Sequence, residues 1–184
     1  MADHICPWWM GYLLANPLRR LLENPERLFG RFVQEGMTAV DYGCGMGFFT
    51  LPLARMVGPA GKVIAVDLQQ KMLDGMQKRA GRTGLSDRIE PVLVNRGESG
   101  INEPVDFVAA LHVVHELPDA KAFFSQMVAI MKQGARLLMV EPGFHVTEEE
   151  FRDSLNTAST TGLKMTDEQI AYRGRAAVLE FPGA

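Results

Sequence analysis

Asp41, Gly43, Gly45 and Gly47 stand within one short run, and a second carboxylate, Asp67, follows Gly47 by 20 positions. The run reads Val-Asp-Tyr-Gly-Cys-Gly-Met-Gly and closes a short apolar stretch. Glycines there let the backbone turn sharply and approach a ligand with no Cβ in the way. Where a helix begins just after such a turn, its free N–H groups attract an anion or a nucleoside. A carboxylate at the end of the next strand accepts from both hydroxyls of a ribose, a bidentate geometry that neutral side chains reproduce poorly. A dinucleotide loop of the form G-x-G-x-x-G would need glycine at position 48, where the sequence has Phe48. A second group, His112, His115 and Glu116, then Glu141 and His145, falls after later strands. Ligands of open α/β sheets bind at the carboxyl ends of strands, and a histidine with an ordinary pKa of ~6.5 suits proton transfer near neutrality. The spacing His-x-x-His-Glu does not match the two-histidine helical zinc pattern, so no metal is expected.

Short β-type runs alternating with longer helical ones must position these residues. The strand candidates are 38–42, 62–68, 89–95, 105–113 and 135–141, mostly continuous apolar runs as expected of strands covered on both faces. Between them, Met72, Leu73, Met76 and Ala80 follow the 3.6-residue period. So do Ala120, Phe123, Phe124, Met127 and Met131, a pattern closed by Lys132 and Gly134. Such alternation predicts right-handed βαβ units and a doubly wound, mainly parallel sheet. After a helix over 147–158, the runs 163–172 and 176–181 are joined only by Arg173, Gly174 and Arg175, which permits only antiparallel pairing. Near the start, Asn16-Pro17 and Asn24-Pro25 each read as a helix cap followed by the first helical residue.

Composition narrows the function classes. The 184 residues are 47% hydrophobic and 22% charged, in the range of one globular domain. A formal charge of −3 supplies no basic face for nucleic acid. Two cysteines, Cys6 and Cys44, exclude a secreted disulfide scaffold and fit a cytoplasmic location. No run reaches the ~18 apolar residues of a membrane span, and the stretch 5–18 lacks the marks of a signal peptide. With Trp8, Trp9 and Tyr12 ahead of Arg19 and Arg20, that stretch packs on its own domain or touches a membrane surface; an exposed Trp8/Trp9 patch would favour a homodimer.

The frame G-x-G-x-G with an acid two residues ahead resembles motif I of the class I methyltransferases that use S-adenosylmethionine (SAM). Val66-Asp67-Leu68 is similar to motif II of that family, Asn95-Arg96-Gly97-Glu98 to motif III, and Val105-Asp106-Phe107-Val108 running into Leu111-His112 to motif IV. The stretch from Met131 to Glu141 resembles the helix end, turn and fifth strand that follow. The resemblance implies a Rossmann-like α/β fold, a seven-stranded, mainly parallel sheet with an antiparallel terminal hairpin. It implies one domain over 1–184, with a helical lid at 1–37 and a core at 38–182. It also implies SAM as cofactor, held by Asp41, Gly43, Gly45, Gly47, Asp67, Leu68, Asn95, Arg96, Gly97 and Leu111. The family usually has Asp where Asn95 stands; an amide oxygen also accepts a bond from the adenine amine.

Methyl transfer from a sulfonium is an in-line displacement whose leaving group needs no proton, so the protein chiefly aligns donor and acceptor. A base is needed only where the acceptor must lose a proton. His115 is the expected base or orienting residue, with His112 as second candidate, although a histidine in this loop also serves to fix the turn. Trp8, Tyr12 and Glu141 are expected to contact a small-molecule acceptor. Cys44 is expected to fill space. The rival readings are a SAM-binding module without catalysis and an NAD(P)-dependent oxidoreductase, the latter disfavoured by Phe48.

Overall fold

Five parallel strands bring their carboxyl ends to one edge, which is where the residues of interest lie. The computed structural model describes residues 9, 11, 19, 23–171 and 174–183. Trp8, Tyr12 and the Asn16-Pro17 helix start lie outside the described residues. The strands are β1 (Thr38–Tyr42), β2 (Lys62–Asp67), β3 (Ile89–Leu93), β4 (Val105–Leu111), β5 (Met131–Pro142), β6 (Lys164–Ala171) and β7 (Gly174–Glu180). They form one sheet in the order β3-β2-β1-β4-β5-β7-β6. β1 to β5 pair in parallel and β7 runs antiparallel to both β5 and β6. The expected doubly wound sheet with a terminal hairpin is therefore present.

The helices are α1 (Pro25–Phe29), α2 (Thr50–Met56), α3 (Gln70–Thr83), α4 (Ala120–Ile130) and α5 (Glu148–Thr160). Alternation along the strands separates two apolar layers. On one face Val40, Val108 and Leu137 meet Phe124, Met127 and Phe151; on the other Ala39, Val63 and Phe107 meet Phe29, Leu53 and Met76. Three of the helix starts, those of α1, α4 and α5, are capped by a side chain. Asn24 accepts from the Arg27 amide, Asp119 accepts from the Ala122 amide, and Thr147 with Glu150 forms a reciprocal capping box.

Several expected boundaries move: β4 ends at Leu111, two residues before the expected end, and β7 begins at Gly174, inside the expected turn. The apolar stripe from Leu28 to Val33 reads as one helix, but α1 stops at Phe29; Phe32 still stacks on Phe107 with ring centroids 6.3 Å apart. The helical pattern through Met131 also ends one residue early. Met131 pairs with Val105 in the sheet, and Lys132 reaches the Asp106 carboxylate at 2.8 Å. Lys132 and Gly134 thus open β5 instead of closing α4, because strand pairing and an ion pair outweigh one more helical residue. Among the described residues no helix is long and apolar enough to cross a membrane.

Candidate functional site

The loop after β1 is held open by its own backbone bonds. The amides of Gly43 and Cys44 both donate to the Val66 carbonyl at 2.9 Å, and the Gly47 amide donates to Cys44 at 3.0 Å. This turn needs positive φ at Gly45 and Gly47, 52° and 80°. A Cβ on Gly47 would strike Met76 at 2.7 Å, whereas one on Gly45 would enter open space. The loop is thus packed beneath and clear above.

Asp67 ends β2 beside that clear side. One carboxylate oxygen accepts from the Gly45 amide at 2.9 Å and the other from the Gln69 amide at 2.8 Å. Each oxygen retains a further lone pair. Burial raises the Asp67 pKa, and the amides of Gln69, Gly45 and Leu68 offset part of that rise. Asp41 sits deeper, 1% exposed, and accepts from the Thr50 hydroxyl at 2.5 Å. Its side chain fixes the start of α2 from beneath the loop.

Burial pushes the Asp41 carboxyl up to about 7, opposed by the Thr50 bond and reinforced by the charge of Asp67. The folded state therefore keeps this proton between roughly pH 4 and pH 7, where the unfolded chain has lost it. The stabilising contribution is complete below that window and is lost as pH rises through it. Asp41→Asn, which cannot ionise, is expected to gain stability relative to the parent as pH rises from about 5 to about 8 in urea denaturation. A difference between the two proteins that stays constant with pH would contradict this.

Further along the same edge, β4 and β5 supply a second cluster. His115 Nδ1 is hydrogen-bonded to Glu141, whose other oxygen accepts from the Val114 amide at 2.9 Å. Burial alone would lower the His115 pKa; the Glu141 bond and charge, with Glu116 and Glu150 behind them, outweigh it and hold the imidazole above its ordinary range. The His145 ring lies nearly parallel to His115 at 6.3 Å, and Phe144, 75% exposed, lies 4.6 Å from His145. His112 is turned another way, with Nε2 on Glu23 at 2.9 Å.

The profile of the methyltransferase-domain family matches residues 33–176. The chain belongs to this family. A SAM-dependent methyltransferase from Aquifex aeolicus superposes with a TM-score of 0.85 at 24% identity, covering 96% of this chain and all of that one. A demethylmenaquinone methyltransferase of Lactobacillus johnsonii is 29% identical over 113 residues, 59% of this chain and 45% of that protein. A ubiquinone/menaquinone biosynthesis C-methyltransferase of Salmonella arizonae is 28% identical over 159 residues, 80% of this chain and 63% of that protein. The chain spans about half the length of the curated relatives it matches.

The Aquifex aeolicus protein is, by its name, dependent on S-adenosylmethionine. The residues of this chain fit that cofactor: open space over Gly45 leaves room for a ligand against the backbone, and both Asp67 oxygens have capacity for ribose hydroxyls. The third expected contact lies on an exposed turn, where Asn95 donates to Glu98 at 3.1 Å and Arg96 and Gly97 face solvent. That turn is anchored from below by Tyr42, which donates to the Glu98 carbonyl, and by Gln126, which donates to the Gly97 carbonyl. Leu68 is 37% exposed beside Asp67, whereas Leu111 is buried in the core.

Two expectations for the methyltransferase domain change in kind. Glu141, expected on the acceptor side, is 2% exposed with both oxygens engaged, so it stands behind His115 and does not face a ligand. His112, expected beside His115 as a second base, is committed to Glu23. Arg19 and Glu23, which sequence reasoning did not single out for the site, are joined by a 2.7 Å ion pair. Arg19 also lies over Phe48, 4.4 Å from its ring centre. Cys44 is buried, and burial followed by the charges of Asp41 and Asp67 pushes its thiol well above the ordinary range, consistent with a space-filling side chain.

Proposed function

We propose that this chain transfers the methyl group of S-adenosylmethionine to a small-molecule acceptor, with His115 as the proton acceptor. The observation that carries the proposal is the arrangement along one edge: Asp67 and the glycine loop at β2 and β1, the His115–Glu141 pair at β4 and β5. The cofactor, when bound, supplies an electrophilic methyl whose bond to sulfur breaks as the bond to the acceptor forms. Asp67 and the Gly45 backbone hold the nucleoside end. Among the described residues His115 Nε2 has no hydrogen-bond partner, so it is the ring atom that takes the acceptor's proton. Glu141 orients the ring and stabilises the imidazolium, which makes His115 a stronger base than a free histidine.

A small acceptor is supported by the names of the curated relatives, which refer to demethylmenaquinone and to ubiquinone/menaquinone biosynthesis. Phe144 and His145, beside His115, offer flat apolar surface for such a molecule. The net charge of −3 argues against nucleic acid as acceptor. Incubation with methyl-labelled SAM and a small-molecule extract is the test. Sustained label transfer to a metabolite is expected; binding of SAM with no transfer would leave a cofactor-binding module.

A further inference from the structure

A lone phenylalanine on a protein surface is ordinary. Phe144 differs in how it is held and in what stands beside it. Among the described residues it is the most exposed large apolar side chain, at 75%. The turn beneath it is fixed. The amides of His145 and Val146 both donate to the Pro142 carbonyl, at 3.0 and 2.9 Å, and the Val146 side chain is buried. Arg175 donates to the Val146 carbonyl at 3.2 Å, and the next residue, Thr147, is engaged in the capping box of α5. An ordered backbone therefore holds this ring out in water.

From Phe144 the rings run in a row toward the base. Phe144 lies 4.6 Å from His145 with the planes tilted by 48°, and His145 lies 6.3 Å from His115 at 18°. The row has an acidic border. The loops over 112–119 and 143–150 carry Glu116, Asp119, Glu148, Glu149 and Glu150, all exposed, and no Lys or Arg. The cations next along the chain, Lys121 and Arg152, stand on α4 and α5, and Arg152 is paired with Glu168 at 2.9 Å. Arg175 approaches Glu148 only to 3.8 Å. The negative field extends to the base, since the charges of Glu116 and Glu150 both act on the His115 imidazole. A carboxylate or phosphate brought to His115 meets the same field as repulsion, whereas an uncharged molecule does not.

We propose that Phe144 and the acidic border select the acceptor: a flat, aromatic, uncharged molecule is taken against the Phe144 and His145 rings, and an anionic molecule of the same shape is refused. The inference rests on the transfer reading above for calling that molecule an acceptor. Flatness matters because an aromatic face matches the area and the quadrupole of another ring, which a puckered saturated ring does not. Refusal needs no contact of its own, because specificity is a difference of affinities and repulsion of the wrong molecule supplies it.

Calorimetry on the full chain, with S-adenosylhomocysteine present, tests this with three probes of similar size: 2-naphthol, its saturated counterpart decahydro-2-naphthol, and the anion 2-naphthoate. The parent is expected to bind 2-naphthol about tenfold or more tighter than either of the others. Phe144→Ala is expected to lose about tenfold in affinity for 2-naphthol, and Phe144→Tyr to keep most of it. The double variant Glu116→Gln, Glu149→Gln is expected to bind 2-naphthoate about threefold or more tighter than the parent does, with 2-naphthol unchanged. A parent that binds none of the probes, equal 2-naphthol affinity in Phe144→Ala and parent, or 2-naphthoate bound by the parent as tightly as 2-naphthol would overturn the proposal. The expected binding pattern without label transfer from S-adenosylmethionine to any metabolite would overturn the transfer reading alone and support the edge as a ring-binding site.

Discussion

Replacing His115 by alanine is expected to lower the rate of label transfer by about 10²–10⁴-fold while leaving affinity for S-adenosylhomocysteine within about twofold of the parent. The split follows from position. His115 sits beyond β4 with its Nδ1 on Glu141, across the edge from Asp67 and the glycine loop, so its loss removes a base without touching the groups that hold the nucleoside. The pH profile carries a second signature. The neutral imidazole is the active form, and Glu141 holds the His115 pKa above the ordinary histidine range, so the rate rises with pH through that raised value. Glu141→Gln removes the charge that favours the imidazolium. Its rising limb moves to lower pH and its plateau falls, because the weaker base takes the proton less readily. Glu116, Glu150 and His145 also face the imidazole, so the shift in Glu141→Gln is partial. A histidine that merely fixed the turn would lower activity without moving the profile.

Asp67→Ala is expected to weaken S-adenosylhomocysteine binding by about 1–3 kcal/mol, roughly 5- to 150-fold in affinity, as for loss of a charged hydrogen-bond partner. Two effects contribute. The ribose hydroxyls lose their acceptor, and the Gly45 and Gln69 amides lose the carboxylate that sets the spacing of the loop. Asp67→Asn separates them, because its single oxygen keeps one of these bonds while the negative charge is gone. An intermediate affinity is expected for Asp67→Asn, with a thermal midpoint close to that of the parent. Unchanged affinity in both variants would remove Asp67 from the site.

The parts of the site legible in the sequence are those built by neighbours in the chain. The glycine loop, Asp41 and Asp67 lie within 27 residues, and a strand end and a sharp turn follow from the apolar run and the glycines alone. The His115–Glu141 pair is different. Its members are 26 residues apart and meet only because β4 and β5 pair in parallel with Leu111 opposite Val140. Each residue stood out as a candidate, but their coupling, which puts Glu141 behind His115, required the register. The contact of His112 with Glu23 spans 89 residues, and the helical periodicity on either side of Glu23 says nothing of which strand end it meets, so nothing local announced it. The end of α4 failed for a related reason: Met131 fits the helical period, but its pairing with Val105 draws it into the sheet.

The most direct test of the central claim is the thermal midpoint of the intact chain with S-adenosylmethionine, S-adenosylhomocysteine or NADH at saturating concentration. A ligand that binds only the folded state raises the midpoint by mass action. The geometry over Gly45, the two-oxygen capacity of Asp67 and Phe48 in the loop together predict a rise with S-adenosylmethionine and S-adenosylhomocysteine and none with NADH. No change with any of the three, or a rise with NADH alone, would contradict it.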